Sequence, residues 1–155
     1  MKVRRMKIKR IWDKFGKFPA GYIKSFVNWT FEISYRQHTL GSFIIFSNKY
    51  HESISELSED EIKELPHVMR YIENLYRRIP ELNPDKFNYW QMGNKLKHLH
   101  FHGIPRYKKP RIFAGKIWKD TTFGKPPIWS RKNESNELVG LIRELVTSYI
   151  GRRVK

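Results

Sequence analysis

Three of the six histidines stand within five residues, at His98, His100 and His102. Alternate residues of a β-strand share one face, so a strand here sets three imidazoles in a row, about 6.5–7 Å apart. Leu99 and Phe101 then point the other way, into a core. Polar rings on a core strand are costly unless their nitrogens have partners, which marks the row as a site. Residue types alone leave three readings open. Imidazole is a good nucleophile near neutral pH, and a middle histidine flanked by two others suits covalent chemistry on phosphorus. Imidazoles on one strand can also bind zinc or iron, but Gly103-Ile104-Pro105-Arg106 follows and the motif holds no carboxylate. The third reading is a row of histidines hydrogen-bonded for structure alone.

The segments around this row must position it. Residues 30–36 alternate Phe31, Ile33 and Tyr35 with Glu32, Ser34 and Arg36, the pattern of a half-buried strand. Thr39-Leu40-Gly41 reads as a turn, and Ser42 to Phe46 as a short apolar strand, which together predict an antiparallel hairpin. Ser58-Glu59-Asp60-Glu61 is a capping-box pattern. Ile62, Leu65, Met69, Ile72 and Tyr76 then continue at helical spacing to about Arg78. Pro66 cannot donate to the carbonyl of Ile62, which predicts a kink or two helical pieces. Lys86 to Met92 reads as a strand, with Phe87 and Tyr89 on one side and Asn88 and Trp90 on the other. Gly93-Asn94 is a turn signal, and Lys97 to Ile104 is the next strand. Residues 105–134 are rich in Pro, Gly and Lys and read as one irregular segment. Leu138, Leu141, Ile142, Leu145, Tyr149 and Ile150 mark a last helix, closed by Gly151. Strands joined by short turns, with helices between, give an α+β class built on an antiparallel sheet.

Composition limits the function. The 155 residues carry 31 Lys and Arg against 15 Asp and Glu, a net charge of +16 that calls for an anionic partner: nucleotide phosphates, nucleic acid or an acidic surface. Six of the charges lie in the first ten residues, so residues 1–29 read as a basic extension and residues 30–155 as the domain. There are no cysteines, which excludes disulfides and thiolate metal sites. No apolar run is long enough for a membrane span, and Asp13-Lys14 interrupts the run a signal peptide needs, so the expectation is a cytoplasmic protein.

The run His98-Leu99-His100-Phe101-His102-Gly103-Ile104 resembles the signature of the histidine triad (HIT) family. Pro84-Asp85-Lys86-Phe87-Asn88-Tyr89, Pro105-Arg106-Tyr107, Arg36 to Ser42, Ser55 to Ser58, Phe113-Ala114-Gly115 and Pro126-Pro127 are similar to its bacterial diadenosine tetraphosphate hydrolase-like branch. The resemblance covers roughly residues 30–130. It implies a HIT-like fold, an antiparallel sheet with packed helices, and commonly a homodimer. It also implies a nucleotide hydrolase or nucleotidyl transferase in which His100 attacks an α-phosphorus and a nucleotidyl-histidine forms. His98 and His102 would orient and stabilise His100. No cofactor is required, and magnesium enters only as a complex of the substrate. Asn88 matches a position contacting phosphate or ribose. Asn94 and Lys95 stand where many members carry Gln and Ser or Thr, and Ser42 stands where many carry a histidine. Lys95 would supply a cation beside the developing charge, or be a solvated turn residue. Arg106 begins a basic run, with Lys108, Lys109 and Arg111, that could meet a polyphosphate tail or a nucleic-acid backbone. The competing function is a basic nucleic-acid-binding module on the same scaffold, with little catalysis. His38, His51 and His67 read as surface residues, and Phe113, Trp118, Phe123 and Trp129 as anchors of the long segment.

Overall fold

Alternation in the strands divides this protein into a core face and a site face. The computed structural model describes residues 18–152, with side chains from Ala20 onward; the basic arm from Lys2 to Arg10 lies outside them. A single helical turn, α1 (Phe18–Gly21), leads into β1 (Tyr22–Ser25), β2 (Trp29–Ile33) and β3 (Phe43–Ser47). A 3-10 turn (Ile54–Glu56) precedes α2 (Glu59–Arg77). Then come β4 (Lys86–Trp90), β5 (His100–Arg106), a small hairpin of β6 (Arg111–Phe113) and β7 (Lys116–Trp118), and α3 (Asn136–Thr147). The main sheet has the order β1-β2-β3-β5-β4, and every pairing is antiparallel. The α+β expectation therefore holds.

Register fixes the two faces. Phe31, Ile45 and Phe101 lie side by side, as do Ile33, Phe43, Gly103 and Tyr89. These rows pack on Val68, Ile72, Leu75 and Tyr76 of α2 and on Val139, Ile142 and Val146 of α3 in one core. One residue over, the other face carries the row Glu32, Ile44, His102 and Trp90 across four strands, with Thr30, Phe46 and His100 beside it. Gly103 serves the core side. A Cβ there would sit 2.2 Å from the Phe43 ring, so no larger residue fits between His102 and Ile104 without moving that ring.

The domain starts earlier than residue 30. Residues 22–25 form the edge strand of the sheet, paired with β2. Its four residues are interrupted by a register shift between Tyr22 and Lys24, so no alternation marks it in the sequence. The capping box forms as expected: Ser58 Oγ accepts from Glu61 N (3.3 Å), and Glu61 Oε2 accepts from Ser58 N (2.7 Å). The expected break at Pro66 is absent, and α2 runs through it without interruption. Pro66 and Ile62 are both exposed, so water can replace the missing donor. In α3 the buried stripe is Val139, Ile142 and Val146, and Leu141 faces solvent, as does Ile150 in the turn beyond the helix end. Residues 105–134 are not wholly irregular: Ala114 and Gly115, both at positive φ, turn the β6–β7 hairpin.

Gly103→Ala should destabilise the fold by about 1–3 kcal/mol through overpacking against Phe43, measured by urea denaturation. A variant as stable as the parent would show that Phe43 does not pack there.

Candidate active site

The end of β3 and the start of β5 hold the first two histidines. Leu99 N donates to the His51 carbonyl (2.8 Å), and Ser47 N donates to the Leu99 carbonyl (3.2 Å). His98 therefore sits just outside β5, fully buried, and only His100 and His102 lie within the strand. The His98 Nε2–H donates to the Ser47 carbonyl (2.6 Å), and the ring of Tyr50 stacks on it at 5.5 Å. The His100 Nδ1–H donates to the His98 carbonyl (2.7 Å). A carbonyl can only accept, so the proton of neutral His100 sits on Nδ1 and its lone pair on Nε2. The His102 ring lies edge-on to His100 at 4.9 Å.

Burial keeps the row uncharged at neutral pH. It lowers His98 to about 4, against the opposing bond to Ser47. It lowers His100 too, against the bond to the His98 carbonyl. It takes His102 to about 3, helped by the nearby His100, His38 and Arg36. An imidazole that is unprotonated and fixed in one tautomer is a competent nucleophile.

The cover comes from two loops. The loop after β2 is pinned by its own side chains: Gln37 Nε2 donates to the carbonyls of Ser34 (2.7 Å) and Ser42 (2.9 Å), and its Oε1 accepts from Gly41 N (2.8 Å). Tyr76 and Tyr107 hold the carbonyls of Gly41 and Leu40 from the core side. This sets His38 against Trp129, ring to ring at 4.0 Å, with Ser130 N donating to His38 Nδ1 (2.8 Å). Trp129 also stacks on Trp90 at 5.6 Å and meets His102 edge-on at 4.7 Å. A cavity of about 420 Å³ opens beside His100 and His102. Ile44, Met92, Leu96 and Trp129 give it apolar walls, and Asn94 and Lys95 stand at its exposed rim. Glu32 lies inside it.

No protein-family model matches the sequence, and no curated protein matches it. Solved structures match over most of its length. A diadenosine triphosphate hydrolase from Plasmodium falciparum, in complex with cyclomarin A, shares 14% identity, over 84% of this chain and 76% of that one, with a TM-score of 0.62. A hypothetical histidine triad nucleotide-binding protein from Sulfolobus tokodaii shares 19%, over 91% and 89%, with a TM-score of 0.65. A histidine triad protein from Sinorhizobium meliloti shares 13%, over 87% and 94%, with a TM-score of 0.63. The chain has the histidine triad fold.

On this HIT fold the residues singled out in the sequence divide into two groups. His98, His100, His102, Asn94 and Lys95 come together at or around the cavity. Ser42, Asn88 and Arg106 do not line it. Ser42 is buried in the β2–β3 turn, where Oγ donates to the Thr39 carbonyl (2.8 Å) and accepts from Thr39 N (3.1 Å). Arg106 shares the histidine face but lies four residues beyond His102, 1% exposed. It bonds both oxygens of Asp120 (2.6 and 3.0 Å), Asn88 Oδ1 (2.8 Å) and the carbonyls of Lys125 (2.9 Å) and Thr122. Its planar fork clamps the loop that carries Trp129, and Asn88 is part of that clamp. Arg111 is likewise engaged, donating to the carbonyls of Leu82 (2.8 Å) and Asn83 (3.0 Å).

Four contributors escaped the sequence reading. In the sequence His38 reads as a surface residue, Trp129 as an anchor of the long segment, Trp90 as a member of the Asn88 side of its strand, and Glu32 as one of the polar residues alternating in residues 30–36. The alternation of residues 30–36 did carry the signal for Glu32, since that side is the histidine side. His51 is also not a plain surface residue: its Nε2 meets Glu61 Oε1 at 2.8 Å. His67 is exposed as expected. Among the described residues, no group of three or more His, Asp or Glu is arranged to hold a metal ion, so the metal reading finds no ligand set there.

Removing Asp120 leaves a buried guanidinium unpaired, so Asp120→Ala should cost about 3–5 kcal/mol at neutral pH. Burial alone would raise the Asp120 carboxyl, but bonds from Arg106, Tyr107 N and Thr122 N hold it below its ordinary 3.8. A depressed carboxyl contributes stability that is complete above its unfolded value and is lost as pH falls through the folded one. The gap between parent and variant, read by denaturation at a series of pH values, should be full at pH 7 and shrink below 3.8. A gap that widens in acid would contradict the clamp.

Proposed function

We propose that this chain is a nucleotide hydrolase or nucleotidyl transferase of the HIT family, acting at the α-phosphorus of a nucleoside polyphosphate, dinucleoside polyphosphate or phosphoramidate. The observation that carries the reading is the bond from His100 Nδ1–H to the His98 carbonyl, which leaves Nε2 as the lone-pair nitrogen beside the cavity. The fold match to a diadenosine triphosphate hydrolase and to a histidine triad nucleotide-binding protein supports it.

In the first step the Nε2 lone pair forms a bond to the α-phosphorus, and the bond to the leaving group breaks with its electron pair. The new imidazolium keeps its Nδ1 proton on the His98 carbonyl, so the positive charge is stabilised where it appears. In the second step water, or another acceptor, attacks the same phosphorus. The P–N bond returns its electrons to Nε2, the acceptor's proton is lost to solvent or to the departing group, and a nucleoside monophosphate or its ester leaves. His102, edge-on to His100, would hydrogen-bond the phosphoryl oxygens, and Lys95, at the rim of the cavity, would meet a polyphosphate chain. A divalent ion enters only with a polyphosphate substrate. The reading includes a homodimer, for which equilibrium sedimentation is the test.

The net charge of +16 favours a second reading, a nucleic-acid-binding module on this scaffold. It predicts oligonucleotide affinity that falls steeply with salt and is unchanged by His100→Ala.

His100→Ala should abolish turnover of adenylated and guanylated substrates while the circular-dichroism melting curve stays close to the parent's. Alkaline quenching during turnover should trap a nucleotide on the parent protein through an acid-labile phosphoramidate bond, and none on the variant. Turnover that persists in the variant would end this reading.

A further inference from the structure

The role given to His102 needs a proton on the nitrogen that meets the phosphoryl group. His100 is fixed by the His98 carbonyl and His98 by the Ser47 carbonyl, but no such bond fixes His102. Its Nδ1 is enclosed and has no hydrogen-bond partner, which leaves Nε2 as the nitrogen for the cavity that His102 lines. A neutral imidazole carries its proton on one nitrogen or the other, and the bond made by the first decides the state of the second.

A second ring beside it has the complementary need. Ser130 N donates to His38 Nδ1 at 2.8 Å. A ring nitrogen that accepts has no proton, so His38 is the Nε2–H tautomer. That Nε2–H is also enclosed and without a partner. The rings of His38 and His102 stand 6.1 Å apart between centroids, with their planes at 70°. Trp129 packs on both, stacked on His38 at 4.0 Å and edge-on to His102 at 4.7 Å. A buried donor and a buried acceptor left unpaired each cost free energy, and bonding each other removes both costs. Nitrogens turned toward each other across such a gap are about 4 Å apart, so a tilt of about 1 Å joins them.

We propose that His38 is the positioning residue of His102: its Nε2–H donates to His102 Nδ1, which holds the His102 proton on Nε2 and makes that ring a donor to the phosphoryl group. This deepens the nucleotide reading of the triad and rests on it. The direction is set at the far end, because Ser130 N–H can only donate. Ser130 N–H then gives to His38 Nδ1, His38 Nε2–H to His102 Nδ1, and His102 Nε2–H to a phosphoryl oxygen. No proton changes hands, and aligned bonds of this kind polarise one another. His38 does not line the catalytic cavity, so it acts through His102.

The test separates this role from that of a brace for the Trp129 loop. His38→Asn and His38→Gln both lose the ring that stacks on Trp129. Asparagine carries its amide at the height of Nδ1, so it keeps an acceptor for Ser130 N and loses the donor toward His102. Glutamine reaches the height of Nε2, so it keeps the donor and loses the brace. With an adenosine 5′-phosphoramidate, His38→Asn should lower kcat by about tenfold or more and leave KM within about twofold, and His38→Gln should recover most of that loss. Nitrogen-15 NMR at pH 7, without nucleotide, should show a pyridine-type Nδ1 and a pyrrole-type Nε2 for His102 in the parent and in His38→Gln, and both tautomers in His38→Asn. A parent His102 with its proton on Nδ1 overturns the proposal. An asparagine variant at least as active as the glutamine variant also overturns it and leaves His38 a brace. If the parent turns over no nucleotide, the nucleotide reading fails, and the His102 spectra alone decide the pairing: the expected pattern upholds it, and a spectrum unchanged in His38→Asn overturns it.

Discussion

The carbonyl of His98 decides which nitrogen of His100 bears a proton, and the chemistry of the site depends on that. The bond is 2.7 Å long and joins residues two apart. It works only because His98 is itself held: its Nε2–H bonds the Ser47 carbonyl, and the neighbouring Leu99 is tied to both Ser47 and His51. The stretch just before β5 is therefore an extension of the β3 pairing, stiff enough to aim a carbonyl. His51 in turn meets Glu61, which closes the capping box of α2. A chain of polar contacts thus runs from His100 to the start of the longest helix.

A sheet with helices on one face leaves the other face to be covered by loops. Here the cover is made by aromatic stacking of Trp129 on His38 and Trp90, and by the Arg106–Asp120 clamp that fixes the same loop. The consequence is a dry surrounding for the histidines. Burial lowers the pKa of each ring, which would be a penalty in a purely structural role. For a nucleophile it is an advantage, because the unprotonated form is the reactive one. The same dryness keeps Glu32 neutral.

The fold and the site were unequally visible in the sequence, for physical reasons. A two-residue period is a local property, so the placing of His100 and His102 on one face, the β2–β3 hairpin and the core rows could be read directly. The Ser58 cap could be read because all its groups lie within four residues. What covers a face is not local. Trp129 lies 27 residues beyond His102 in a segment without periodicity, and nothing in its neighbours says where it lands. That Arg106 and Asn88 bond each other away from the cavity was not legible, because the partner that fixes the guanidinium, Asp120, lies 14 residues away in a segment without periodicity. Glu32 was read as the solvent side of an amphipathic strand, which is the usual meaning of that pattern in a sheet with one wet face. The edge strand β1 was missed because its register shift erases the alternation.

The central claim is that His100 is neutral at working pH, with its proton on Nδ1 and its lone pair on Nε2. Nitrogen-15 NMR of the histidine side chains, assigned with a His100→Ala control, measures this directly. The account predicts a pyrrole-type Nδ1 and a pyridine-type Nε2 for His100 at pH 7, persisting to pH values below those at which free imidazole charges. A His100 that is an imidazolium at pH 7, or that carries its proton on Nε2, would contradict it.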